Sequence, residues 1–241
     1  FTITQLADLV TTNSSQTNVN CNGASTGVAV VGVTGGNGTY TYTWSHDASN
    51  NTATATGLAA GSYTVSVVDG LGCADDGDVT FTITQLADLV TTNSSQTNVN
   101  CNGASTGVAV VGVTGGNGTY TYTWSHDASN NTATATGLAA GSYTVSVVDG
   151  LGCADDGDVT FTITQLADLV TTNSSQTNVN CNGASTGVAV VGVTGGNGTY
   201  TYTWSHDASN NTATATGLAA GSYTVSVVDG LGCADDGDVT F

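Results

Sequence analysis

Residues 1–80, 81–160 and 161–240 are letter-for-letter identical, and Phe241 begins the series again. An identical period of this length obliges any fold to be assembled from equivalent units, so it constrains the chain more than any local motif. A unit of 80 residues is long enough to enclose a modest core of its own and far longer than the repeats of a solenoid. The expected organisation is therefore a string of small domains.

Within a unit, apolar and polar residues alternate. Thr39-Tyr40-Thr41-Tyr42-Thr43-Trp44 places three aromatic side chains on one face and three threonines on the other. Ser62 to Val67 and Asp78 to Thr84 follow the same rule, Gly27 to Val33 is a more apolar run, and Thr52 to Thr56 is a short, weak one. Period two with β-branched and aromatic residues marks half-buried strands. Leu6–Thr12 and Thr17–Asn20 complete about seven expected strands. Glycine- and asparagine-rich turns at Gly35–Gly38, His46–Asn51, Gly57–Gly61 and Asp69–Gly77 separate them. The expected class is all-β: tandem antiparallel β-sandwich domains of immunoglobulin-like type. Tyr40, Tyr42, Trp44, Leu58 and Tyr63 are the expected core landmarks. Leu58-Ala59-Ala60-Gly61-Ser62-Tyr63 has the spacing of a tyrosine corner.

Val79, Phe81 and Ile83 read as the inward face of a closing strand, and Leu86 as the opening of the next unit, with Gln85 alone between them. The domains are therefore expected at 5–84, 85–164 and 165–241, with 1–4 the last-strand tail of a preceding repeat. Such a short junction predicts little freedom between neighbours.

Charge narrows the function. The chain carries 18 acidic residues and no Lys or Arg, for a net charge of −18. Without cationic side chains it is a poor partner for nucleic acid or for anionic membrane surfaces. No apolar run reaches the roughly 18 residues of a membrane helix, so no direct membrane insertion is expected.

Several landmarks together resemble the SprB-type repeat of bacterial gliding-motility adhesins. These are Cys21-Asn22-Gly23; Gly35-Gly36 followed by Tyr40-x-Tyr42-x-Trp44; Leu58-x-x-Gly61-x-Tyr63-x-Val65-x-Val67; and Asp69 with Gly72-Cys73. The resemblance covers nearly the whole unit and implies a large, secreted, surface-anchored protein of many such domains, acting in adhesion and gliding. The family usually has proline where this chain has Thr39 and Leu6.

Two cysteines per unit, Cys21 and Cys73, Cys101 and Cys153, Cys181 and Cys233, predict disulfides in an extracellular setting. A bond within each domain, Cys21–Cys73, is the leading expectation. The alternative joins Cys21 to Cys153 and Cys101 to Cys233, because a simple sandwich tends to place Cys21 and Cys73 at opposite ends. Asp69, Asp75, Asp76 and Asp78 crowd one hairpin and suit Ca²⁺ in chemistry, against a solvated acidic turn; no other cofactor is expected. Asn13, Asn37 and Asn50 head N-glycosylation triplets. Ser45-His46-Asp47 contains the letters of a catalytic triad, but adjacent residues of an extended strand point to alternate faces and cannot converge. No enzymatic chemistry is expected.

Two functions remain. One is a structural repeat of an extracellular fibre or adhesin stalk at the cell surface, whose partners are neighbouring identical repeats and further chains of a filament. The other is a multivalent carbohydrate- or surface-binding module using each repeat for avidity. Tyr40, Tyr42 and Trp44 discriminate: buried they are core, exposed on a groove they are a stacking platform.

Overall fold

A computed structural model describes every residue except Asp236. Eighteen strands follow one another: β1 Val10–Thr17, β2 Gly27–Thr34, β3 Tyr40–Trp44, β4 Thr54–Leu58, β5 Gly61–Asp69, β6 Val79–Ile83, then β7 Val90–Thr97, β8 Gly107–Thr114, β9 Tyr120–Trp124, β10 Thr134–Leu138, β11 Gly141–Asp149, β12 Val159–Ile163, and finally β13 Val170–Thr177, β14 Gly187–Thr194, β15 Tyr200–Trp204, β16 Thr214–Leu218, β17 Thr224–Asp229, β18 Val239–Thr240. No helix among the described residues is long and apolar enough to cross a membrane.

The chain divides into two compact units. One comprises Phe1–Thr92, Val113–Thr123 and Ser146–Asp158; the other comprises Asn93–Gly112, Trp124–Val145 and Val159–Phe241. In the first, two antiparallel three-stranded sheets of order β1-β2-β4 and β3-β5-β6 form a sandwich. In the second, β13-β14-β16 and β15-β17-β18 repeat that arrangement, and β8 pairs with β10 and β11 with β12 in the same antiparallel sense.

Alternation determines which residues meet inside the first sandwich. Ala29 and Val31 of β2, Ala55 and Leu58 of β4, Val65 and Val67 of β5, and Phe81 and Ile83 of β6 are buried together around Trp44. The Trp44 and Phe81 rings lie 5.6 Å apart in a tilted pair, a geometry that adds to plain area burial. Gly27 is required where the two sheets close on each other. A Cβ there would stand 2.7 Å from Ile83 Cγ2 and from the Leu58 carbonyl oxygen.

The strand count differs from expectation. Leu6–Thr12 and Thr17–Asn20 are not two strands; one strand, β1, spans Val10–Thr17. The Asn13-Ser14-Ser15 stretch between the two expected strands is accommodated as an irregularity in the β1–β2 register between Asn13 and Ser15. An extra residue absorbed this way bends a strand without ending it. Six strands per repeat result.

Candidate functional site

The residues that follow β6 carry one repeat into the next. Thr84 donates its amide to Asn18 Oδ1 at 3.0 Å, and its carbonyl accepts the Val19 amide at 2.9 Å. Val19 and Gln85 form a parallel bridge, although they belong to segments that flank different strands. Gln85 Oε1 accepts the Gly23 amide at 2.9 Å, and Asn22 Nδ2 donates to the Leu86 carbonyl at 3.2 Å. The same set recurs in the second unit, with Gly103 donating to Gln165, Asn102 to Leu166 and Val99 to Thr164. Asn22, Gly23 and Gln85 thus close around the connection, leaving it no slack.

A second clasp is covalent. Disulfides join Cys21 to Cys153 and Cys101 to Cys233, each pair 132 residues apart in sequence. The expected bond within a repeat, Cys21–Cys73, does not form, and among the described residues Cys73 and Cys181 are free, exposed thiols. The reason is positional. Cys21 follows Val19, which is held against Thr84 at the end of its repeat, whereas Cys73 lines a groove with Leu6, Ala7 and Asp8 at the beginning. Within one repeat the two thiols face opposite neighbours. Between consecutive repeats they meet.

The cysteine loop is shaped by a buried carboxylate. Asp69 Oδ1 accepts the Cys73 and Leu71 amides, each at 2.9 Å, and Oδ2 accepts the Asn37 amide at 3.0 Å. The Cys73 amide, with those of Leu71 and Asn37, holds Asp69 below the usual carboxylate range against the opposing effect of burial. Asp75 accepts both the amide and the hydroxyl of Thr11, and the hydroxyl bond above all lowers its pKa. With these oxygens already engaged, Asp69 and Asp75 serve the turn; Asp76 and Asp78 are exposed. No group of three or more His, Cys, Asp or Glu among the described residues is gathered to hold a metal.

The aromatic landmarks lie against the core. Trp44 is 1% exposed and its Nε1 donates to the Thr52 carbonyl at 2.9 Å. Tyr40 and Tyr42 are half-buried and pack on the same cluster; Tyr40 Oη donates to the Gly35 carbonyl at 2.7 Å. Burial raises the Tyr42 pKa, with Tyr40 adding to the effect. Tyr63 Oη donates to the Ala59 carbonyl at 3.0 Å, four residues upstream, and Leu58, the residue before Ala59, is buried. His46 is exposed between the Trp44 and Tyr63 rings, while Asp47 is engaged by Ser49 and Ser45 Oγ accepts the Thr64 amide. Those three adjacent residues do not converge.

Of the glycosylation triplets, Asn13 is exposed and touches Gln16. Asn37 accepts the Thr39 and Gly70 amides, and Asn50 turns inward to donate to the Thr54 carbonyl. A glycan on Asn50 would attach to the nitrogen that makes this bond and leave it a single N–H.

The partners of Asn22, Gly23, Gln85 and Thr11 are not legible in the sequence, because each lies more than 60 residues away. Gly35 was visible as a turn residue, but its deeper constraint was not. It sits at φ +78°, and a Cβ there would lie 1.8 Å from the Asp8 carbonyl oxygen.

A family model described as the SprB repeat matches residues 13–49, 93–129 and 173–209. No curated protein matches the sequence at a significant level. Among solved structures, Sidekick-1 immunoglobulin domains 1–5 align over 98% of this chain at 9% identity and a TM-score of 0.44, and the chain spans 58% of their length. The Escherichia coli adhesin FdeC aligns over 100% of this chain and 99% of its own, at 16% identity and a TM-score of 0.35. A C-terminal fragment of intimin aligns over 70% of this chain and 67% of its own, at 18% identity and a TM-score of 0.35. The three family matches fall at one spacing, and each runs from within the first strand of a repeat through its Tyr-x-Tyr-x-Trp strand, so the chain carries three SprB-type repeats in tandem.

Proposed function

We propose that the chain is a structural stretch of an extracellular fibre or adhesin stalk on a bacterial surface, providing length and stiffness. The observation that carries this reading is the doubly fastened junction. Thr84–Leu86 is held by backbone and side-chain bonds from Val19, Asn22 and Gly23, and Cys21 is bonded to Cys153. A module meant only to display a binding site has no need of such fastening. The disulfides favour an oxidising, extracellular location, and the acidic surface suits neither nucleic acid nor anionic lipid.

A multivalent sugar-binding module has less support, since Trp44 is fully buried and Tyr40 is turned toward Gly35. Small-angle scattering on chains of three and six repeats tests the stalk reading. A fastened junction makes the maximum dimension nearly double. Growth of only about 1.4-fold, as for freely jointed domains, would overturn it.

A further inference from the structure

The turn that enters the junction carries a reactive dipeptide. Asn22 and Gly23 lie at the centre of a turn closed by the Ala24 amide, which donates to the Cys21 carbonyl at 3.2 Å, and both residues are exposed. Gly23 has φ +70°, and no atom beyond its chain neighbours lies within 4 Å of where a Cβ would stand. That side of the backbone is therefore open to water. In an asparagine followed by glycine, the side-chain amide carbon is readily attacked by the next backbone nitrogen. Glycine has no side chain to block the approach, and its backbone swings freely enough to allow it.

Two hydrogen bonds hold that chemistry in check. Asn22 Nδ2 donates to the Leu86 carbonyl at 3.2 Å, and the Gly23 amide donates to Gln85 Oε1 at 2.9 Å. The first keeps the Asn22 carboxamide turned toward the connection, and the second occupies the proton that the attacking nitrogen must lose. Asn102 and Gly103 are held alike by Leu166 and Gln165, at 3.1 and 3.0 Å. Cys21 precedes Asn22 directly, and its disulfide to Cys153 pins the same turn. Asn37-Gly38 is the other such dipeptide of the repeat. Its partners lie inside the repeat, since Asn37 Oδ1 accepts the Thr39 and Gly70 amides.

We propose that Asn22 and Asn102 are latent modification sites: inert while the junction is fastened, they deamidate when it opens, and the product keeps it open. The Gly23 nitrogen attacks Asn22 Cγ, forming a C–N bond, and the Cγ–Nδ2 bond breaks. Nδ2 leaves as ammonia, taking the Gly23 proton. Water then opens the succinimide ring. Attack at Cγ restores the ordinary backbone and leaves an aspartate. Attack at the main-chain carbonyl carbon of residue 22 leaves an isoaspartate, with the backbone rerouted through Cγ. Water is consumed, ammonia is released, and no oxidation or reduction occurs.

Either product carries an ionised carboxylate where Asn22 had a donor. A carboxylate only accepts, and so does the Leu86 carbonyl it would face, so this half of the clasp cannot re-form. The new charge also enters a groove already lined by Asp88 and Asp156, where like charges repel. Local opening is rapid and reversible, and the chemistry samples it in proportion to the population of the open state. Deamidation is not reversed, so the modification accumulates with the time each junction has spent open.

This chemistry goes beyond the stalk reading and is tested without it, because it is read residue by residue and not from length. The experiment is a timed incubation of the oxidised 241-residue chain, with peptide mapping that separates asparagine, aspartate and isoaspartate at each position. Asn22 and Asn102 should convert slowly and at one rate. Gln85→Ala should speed conversion of Asn22 about fivefold, equivalent to about 1 kcal/mol, and leave Asn102, which Gln165 still holds, at its original rate. Gln85→Glu keeps an acceptor for the Gly23 amide and should restore the slow rate at Asn22. In the directly made variant Asn22→Asp, hydrogen exchange at Gly23 should quicken as it does in Gln85→Ala, with the amides of β2 unchanged. Equal conversion of Asn22 in the original and Gln85→Ala chains, or an equal rise at Asn102, would overturn the proposal. So would a Gly23 amide that stays protected in Asn22→Asp.

Discussion

Cys21 and Cys153 stand with their Cα atoms 5.5 Å apart and are joined by a disulfide, although 132 residues separate them. Non-reducing digestion should therefore yield peptides linking Cys21 to Cys153 and Cys101 to Cys233. Recovery of a Cys21–Cys73 peptide would return the bond to a single repeat. In the chain-entropy model a loop of this size contributes about 5 kcal/mol against the fully unfolded chain. Reduction should accordingly lower the melting temperature while leaving each sandwich folded by far-ultraviolet circular dichroism.

Gln85 offers a gentler way to open the junction. Gln85→Ala removes the acceptor of the Gly23 amide and should cost about 1 kcal/mol locally. Hydrogen exchange should show faster exchange at Gly23, with amides of β2 and β5 unchanged. Equal acceleration throughout the repeat would mean that the clasp and the sandwich open as one.

Asp75 ties β1 to the cysteine hairpin through Thr11. Its pKa is lowered on folding, so the unfolded chain binds the proton more tightly. The stability it contributes is complete above the unfolded value of about 3.9 and is lost as pH falls through the lower folded value. Asp75→Ala should remove about 1–2 kcal/mol at neutral pH and flatten the melting curve's decline below pH 4. An unchanged acid limb in this variant would assign that decline to other carboxylates.

Trp44 anchors the core through both its ring and its Nε1 bond to Thr52. Trp44→Phe should cost about 2–4 kcal/mol, combining an unpaired Thr52 carbonyl with a partly empty slot beside Phe81. Urea denaturation of a single-repeat variant would measure it. A loss below about 1 kcal/mol would show that the neighbouring side chains collapse into the space.

Much of this architecture was legible from alternation. Tyr40–Trp44, Ser62–Val67 and Val79–Ile83 all announce strands, because period two reports directly which face of a pleat is buried. The junction was not legible to the same depth. Periodicity reports which face a residue occupies and is silent on the end of the sandwich to which a loop turns, and that decides whether Cys21 meets Cys73 or Cys153. The broken strand at Asn13–Ser15 was misread for a related reason. A local run of turn-forming residues was outweighed by continuous pairing with Val30 and Val31 of β2.

The overlap of the two disulfides also limits how far the polypeptide can be drawn out. With every sandwich unravelled, the tightest covalent route from Cys21 to Cys233 crosses to Cys153, runs back along the backbone to Cys101 and crosses again. Its contour length is roughly a quarter of that of the backbone between the same residues, at about 3.4 Å per residue. Most of the chain therefore lies in covalent loops that a pull on the ends cannot pay out, and a single cut within 22–152 leaves the pieces joined. Oxidised, the stretch between Cys21 and Cys233 cannot be drawn out beyond that short route; reduced, it becomes a long, slack tether.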